Sequence, residues 1–273
     1  MRAASREAYA PAAEKLDAIA RGDRADALLS IGDELLAVAG LLGREPRLRR
    51  ALADPARSGA DRAQLLDDVV GGSVSADTRE VLQAVASGRW SSAHEMLDGV
   101  ELLGIDALLA GAERAGDLGE VEDELFRFGQ VVDGSPELAA VLGDLTVDAV
   151  RRDTLVDSLL EGKAKPVTIR LAHLAVAGFG GRTLIGSLTR LVEVSAERRQ
   201  MQVAYVTVAK PLSDSEEQEL GERLGRMYGR QMSVKVSVDP SVLGGARVRI
   251  GSDLYDGTIS RRLAIARQVL TSS

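Results

Sequence analysis

The sequence predicts a mainly α-helical protein of two tandem helical bundles followed by a small α/β domain. Apolar residues recur at helical spacing over most of the chain. Residues 16–88 match residues 106–178 at a constant offset of 90. After about residue 200 the pattern changes to the alternation of β-strands.

The repeat is carried by residue pairs. Asp33-Glu34-Leu35 falls on Asp123-Glu124-Leu125, Pro46 and Leu52 on Pro136 and Leu142, and Arg62, Thr78 and Gly88 on Arg152, Thr168 and Gly178. Leu28, Ile31, Leu35, Val38 and Leu42 form one stripe in the first copy, and Leu118, Val121, Leu125, Phe128 and Val132 form one in the second. Ser135-Pro136 supplies an N-cap with proline at the first helical position, Asp54-Pro55 ends a helix, and Ser92 to Glu95 has capping-box spacing. A further helix runs through Leu184, Leu188, Leu191 and Val192 toward Glu197. The expected domains are 1–104, the first bundle; 105–199, the second; and 200–273, the α/β domain.

Val203, Tyr205 and Thr207, with Val206 and Val208 between them, predict a strand. Ser213 to Glu216 opens a helix through Leu220, Leu224 and Met227 that stops near Gly229. Val234, Val236 and Val238 alternate with polar neighbours, Asp239-Pro240-Ser241 turns, and Arg247–Ile250 alternates again. Asp256-Gly257 is expected to turn into a last helix carrying Ile259, Leu263, Ala266 and Leu270.

Composition narrows the function. Hydrophobic residues make up 45% of the 273 but aromatics only 3%, so the core is built from Ala, Leu, Val and Ile. A net charge of -7 argues against nucleic acid as a partner. Cysteine is absent, which excludes disulfides, thiolate metal sites and cysteine nucleophiles. The opening residues lack the apolar stretch of a signal peptide, and no run approaches the ~18 apolar residues of a membrane span.

Candidate chemistry is sparse. His94-Glu95-Met96-Leu97-Asp98 has aspartate where a zinc-protease helix needs its second histidine. The glycines at 178–181 and 244–245 are not followed by Gly-Lys-Ser/Thr, so they read as helix and strand breakers rather than phosphate cradles. The acidic run Glu120, Glu122, Asp123 and Glu124 reads as a solvated helix side. Trp90 reads as packing between helices, with an interface anchor as the alternative. No catalytic, metal or cofactor residue is expected.

The stretch Val236-Ser237-Val238-Asp239-Pro240-Ser241-Val242-Leu243-Gly244-Gly245-Ala246-Arg247-Val248-Arg249-Ile250-Gly251, with Tyr255-Asp256-Gly257-Thr258-Ile259 and Arg262-Leu263 beyond it, resembles the C-terminal signature of the ATP synthase delta subunit (oligomycin-sensitivity-conferring protein) family. Residues 121–199 are similar to that family's helical domain and exit helix, so residues 105–273 cover its usual length. The duplication resembles a longer bacterial form. Arg6-Glu7-Ala8-Tyr9-Ala10 is similar to the family's first-helix Tyr-Ala motif, with Pro11 shifting the expected helix start.

The resemblance implies a non-catalytic stator subunit of a rotary F-type ATP synthase, one copy per complex. It implies a peripheral place on the cytoplasmic face of the bacterial membrane, without insertion. A six-helix bundle would grip N-terminal helices of the alpha subunits, and the α/β domain would hold the b-type stalk. By position, the alpha-binding candidates are Tyr9, Ala13, Leu16 and the stretch 81–85 in the first copy, and Leu102, Ile105, Leu109, Ile169 and Leu174 in the second. The stalk candidates are Leu243, Ile259 and Leu263. An apolar stripe serves a bundle core equally well, and a helical adaptor of another complex is the alternative function.

Overall fold

The computed structural model describes residues 1–22, 24–242, 244–259 and 261. The chain runs through α1 (Ala3–Gly22), α2 (Ala25–Arg44), α3 (Pro46–Leu52), α4 (Gly59–Val70), α5 (Ala76–Ser87) and α6 (Ala93–Ala115). It continues with α7 (Leu118–Asp133), α8 (Pro136–Gly143), α9 (Ala149–Leu160), α10 (Pro166–Ala177), a 3₁₀ turn at Phe179–Gly181 and α11 (Leu184–Arg198). Then come β1 (Met201–Val208), α12 (Asp214–Tyr228), β2 (Gln231–Val238), β3 (Ala246–Ile250) and β4 (Asp253–Asp256). The fold is therefore helical with a small mixed sheet near its end, as the sequence predicts.

Local chemistry sets the helix ends. The hydroxyls of Ser58, Ser75 and Ser92 accept from the N–H groups of Asp61, Thr78 and Glu95 at 3.1, 3.3 and 3.1 Å, each satisfying an orphan donor. Glu95 does not complete its box; its carboxylate accepts instead from the N–H of Arg2. Ser213 and Glu216 form the full reciprocal box, and α12 stops at Gly229 in the left-handed conformation. Pro11 lies inside α1, which begins at Ala3 rather than after the proline. The carbonyl this frees belongs to Glu7, and Glu7 and Pro11 are both exposed, so the proline lies on the solvent side of the helix.

One compact unit comprises Met1–Leu118, Lys165–Leu174 and Gly178–Arg182. Its core gathers Leu35, Leu42, Leu52, Leu82, Val100 and Leu103 from α2, α3, α5 and α6. Trp90 belongs to this core. Its Nε1 donates to the Val85 carbonyl at 2.8 Å, and its ring sits against Gly99, where a Cβ would lie 2.4 Å from Cη2. Arg62 is buried and donates to the carbonyls of Asp54, Arg57, Ala86, Ser87 and Gly88 at 2.7–3.2 Å. The guanidinium thus closes the C-terminal end of α5, where unpaired carbonyls and the helix dipole favour a cation.

The other unit comprises Gly119–Ala164, Ala175–Ala177 and the chain from Thr183 onward. Val121, Leu125, Phe128, Val132, Leu142, Val156, Leu188 and Leu191 are buried in its helical part. Arg152, one period after Arg62, is buried in the same way and donates to Val176, one period after Ala86, at 2.5 Å.

The sheet has the order β2-β1-β3-β4, with β1 and β2 parallel around α12 and the other pairs antiparallel. One face packs Ala204, Met232 and Ile250 on Leu220 and Leu224 of α12. The other face meets the helices, with Phe126 and Tyr205 ring centroids 6.2 Å apart. It also carries an ionic cluster. Glu122, wholly buried, pairs with Lys235 at 2.9 Å and Arg199 at 2.8 Å and accepts from Ser233, while Lys235 also pairs with Asp123. The expectation of a solvated acidic face therefore fails at Glu122, and Glu124 is buried too. β2 is covered on both sides, which turns its polar positions inward.

Shifted by 90 residues, the first residues of α3, α4 and α5 fall on those of α8, α9 and α10, and their last residues follow closely. The same shift lays α1 on α6 and α6 on α11, so α6 counts in both copies. The boundary expected between 104 and 105 falls inside α6, and the one after 199 falls in the turn between α11 and β1. β4 has no counterpart in the sequence reading, and most of the expected last helix, including Leu263, Ala266 and Leu270, lies outside the described residues.

Candidate partner-binding surfaces

On α1, Tyr9 and Ala13 are half-buried and Leu16 is enclosed in the core. The Tyr9 hydroxyl donates to Asp106 Oδ2 at 2.7 Å, fastening α1 to α6. Burial and the Asp106 carboxylate push the phenol well above its usual range. On α5, Val81, Leu82 and Val85 point into the core, leaving Gln83 and part of Ala84 outside. Lys15 reaches Glu80 at 3.5 Å across the α1–α5 seam, so the outer surface there is polar.

On α6, Ile105 and Leu109 are wholly buried, while Leu102 is half-buried. Ile169 and Leu174 on α10 are half-buried as well. Two ion pairs hold the start of α10 within the first unit, Arg170 with Asp33 at 2.8 Å and Lys165, just before the helix, with Asp117 at 3.1 Å. Beside Leu102, Glu101 accepts from the Gly180 N–H at 3.0 Å. Burial pushes its carboxyl above the usual range and Asp98 adds to this, against the opposing pull of Gly180, His94 and Arg182.

Of the stalk candidates, Leu243 and Leu263 lie outside the described residues. Ile259 is exposed, and Leu254 and Tyr255 on β4 are exposed near it in sequence. Between α7, α11 and the sheet lies a cleft of about 300 Å³, lined by Phe126, Leu188, Tyr205, Arg247, Arg249 and Leu254 among others. Arg249 lies 4.3 Å over the Tyr205 ring, which turns the basic end of the cleft into a stacked, oriented group.

Sequence reasoning matched Arg62 with Arg152 in the repeat but missed their burial against helix-end carbonyls, and it missed the Glu122–Lys235 pair. A signal existed for the pair: Glu122 follows Val121 directly and lies close to the apolar stripe of α7, and Lys235 sits in the middle of a strand between two valines. Nothing in the pattern said that both faces of that strand are covered.

Overlapping helical bundles, a small sheet domain and buried polar groups spent on fastening helices together define a scaffold class of protein. Among the described residues, no group of three or more His, Asp or Glu stands close enough to hold a metal ion. A family model described as ATP synthase delta (OSCP) subunit matches residues 106–270. A Salinispora arenicola protein named ATP synthase subunit delta is 58% identical over 268 residues, 98% of each chain. Proteins of the same name from Streptomyces griseus and Streptomyces coelicolor are 44% and 41% identical, covering 96% and 100% of this chain and 97% and 99% of theirs. The chain belongs to the ATP synthase delta (OSCP) family, a structural and non-catalytic subunit. The family model starts at residue 106, yet these relatives align over the preceding part as well, so the extended form is shared.

Proposed function

We propose that this chain is a stator component of a rotary ATP synthase, fastening alpha subunits of the catalytic head to the b-type peripheral stalk, one copy per complex. The observation that carries it is the match to delta subunits over 98% of the chain. A stator resists torque through many protein contacts and needs no nucleophile or metal. In this reading the half-buried Tyr9, Ala13, Leu102, Ile169 and Leu174 border the grooves for alpha N-terminal helices. The enclosed Leu16, Ile105 and Leu109 form the floor beneath them. The exposed Ile259, with Leu243 and Leu263, faces the stalk. No described helix is long and apolar enough to cross a membrane, which fits attachment through partner subunits on the cytoplasmic face.

Purification of ATP synthase from native membranes through a tag on this chain is expected to bring the catalytic head and a b-type subunit in fixed ratio. Cross-links are expected from positions 102 and 174 to alpha N-termini and from position 259 to the stalk. Recovery of the chain alone, with ATP synthesis intact in its absence, would count decisively against the reading.

A further inference from the structure

The cleft between α7, α11 and the sheet lies wholly within one compact unit. Leu125, Phe126, Leu188 and Val192 line it from the helices and Leu254 from β4. Its basic end comes from the sheet, where the register sets Arg247 beside Thr207 and Arg249 beside Tyr205. At about 300 Å³ it stands at the small end of clefts that hold organic molecules, and a largely apolar lining with a few polar groups is their usual chemistry.

Gly129 keeps the cleft open. It lines the cleft from inside α7, and a Cβ there would meet nothing nearer than Leu188 at 3.9 Å. The first copy carries Ala39 at the matching position, packed in its core. Glycine inside a helix costs stability relative to alanine, and no crowding asks for it at 129. The charges are uneven as well. Arg247, Arg249 and one acid, Asp133, line the cleft, and Arg247 has Asp256 at 3.9 Å. Glu193 and Glu122, the acids whose fields reach Tyr205, are held by Arg190 and by Arg199 with Lys235. Arg249 has no acidic partner among the described residues. Its guanidinium lies over the Tyr205 ring, and stacking leaves the N–H groups along its edge for an acceptor.

We propose that this cleft binds a small monocarboxylate with an unbranched apolar body, of the medium-chain fatty acid class, a function separate from the stator role. The carboxylate takes the edge of Arg249, and the chain lies among Phe126, Leu188 and Leu254 in the space that Gly129 leaves. One uncommitted cation matches one negative charge, so a dianion such as a phosphate monoester would keep an unpaired charge near Asp133. A cationic amphiphile would meet Arg249 as like charge. A bound acid touches α7, α11, β1, β3 and β4 together, so it stabilises the unit it occupies.

Decanoate, kept below its micellar range, is the probe, titrated by calorimetry into the full-length chain. The wild type is expected to bind it saturably and one to one, with a rise in melting temperature. Arg249→Gln, which removes the cation, is expected to weaken binding at least about tenfold. Gly129→Met, which fills the cleft from a position with room for a side chain, is expected to abolish binding while melting, without ligand, at or above the wild-type temperature. Decyltrimethylammonium at the same concentrations is expected not to bind. Absence of saturable binding by the wild type, equal decanoate affinity in the wild type and either folded variant, or equal binding of the ammonium amphiphile would overturn the proposal. The two substitutions lie on different elements and the cationic probe needs neither, so misfolding of one variant leaves the decision intact.

Discussion

Lys235 is almost entirely enclosed, held between Glu122 and Asp123, and Arg199 takes the other oxygen of Glu122. Lys235→Met leaves a buried carboxylate with one partner fewer. The expected loss is about 3 kcal/mol, the low end for a broken buried pair because Arg199 remains, measured by urea denaturation. Glu122→Gln added to that variant is expected to recover part of it, since no half-paired charge stays inside. Glu101 gives the opposite kind of case. Its folded carboxyl holds its proton to higher pH than the unfolded one, so its effect on stability turns unfavourable as pH rises from the unfolded value through the folded one. Glu101→Gln, which can still accept from Gly180, is therefore expected to raise the melting temperature at pH 7 and to change it little at pH ~4, where the wild-type carboxyl is largely protonated. Neither the enclosure of Lys235 nor the partial burial of Glu101 was legible. Sequence periodicity reports which side of an element is apolar, and a charge that finds its partner far along the chain leaves no trace in it.

Helix ends were far more legible than charges, because a cap is a local event. Ser213 with Glu216, Ser92 before Glu95, and Ser135-Pro136 each announce a helix within four residues of sequence, and each opens one. Pro11 misleads for a related reason: proline favours a first turn, but an exposed helix face tolerates it further in. β4 escaped notice because Asp253-Leu254-Tyr255-Asp256 is short and exposed throughout, without the inside–outside alternation that marks a strand. The α6 contact with Trp90 yields a prediction for a whole element. Gly99→Ala places a methyl group 2.4 Å from the indole, a clash with an enclosed ring, and is expected to cost about 1–3 kcal/mol in thermal or chemical unfolding. Gly43→Ala, on a helical residue with open space around it, serves as the neutral or stabilising comparison.

For the molecule as a whole, the repeat was visible in the sequence but its overlap was not. α1 is buried along one side, whereas α6 is buried nearly all round, and Tyr9 and Lys15 fall on Gly99 and Ile105, so similarity fades where the two would be compared. A boundary at 104 was the natural place to cut, and it divides a continuous helix. The close packing of α6 on α2, with Gly32 against Leu108 and Gly104 against Leu36, makes truncation informative. A chain starting at residue 90 is expected to express as a helical but aggregation-prone protein, because Leu103 and Leu108 lose their cover. Polar substitutions at those two positions are expected to restore a monodisperse elution on size-exclusion chromatography.

The repeating length spans five helices, α1–α5 and then α6–α10, so the sixth helix in the register of the first copy is the first helix of the second. α6, buried nearly all round, is then the helix in which substitutions should be tolerated least.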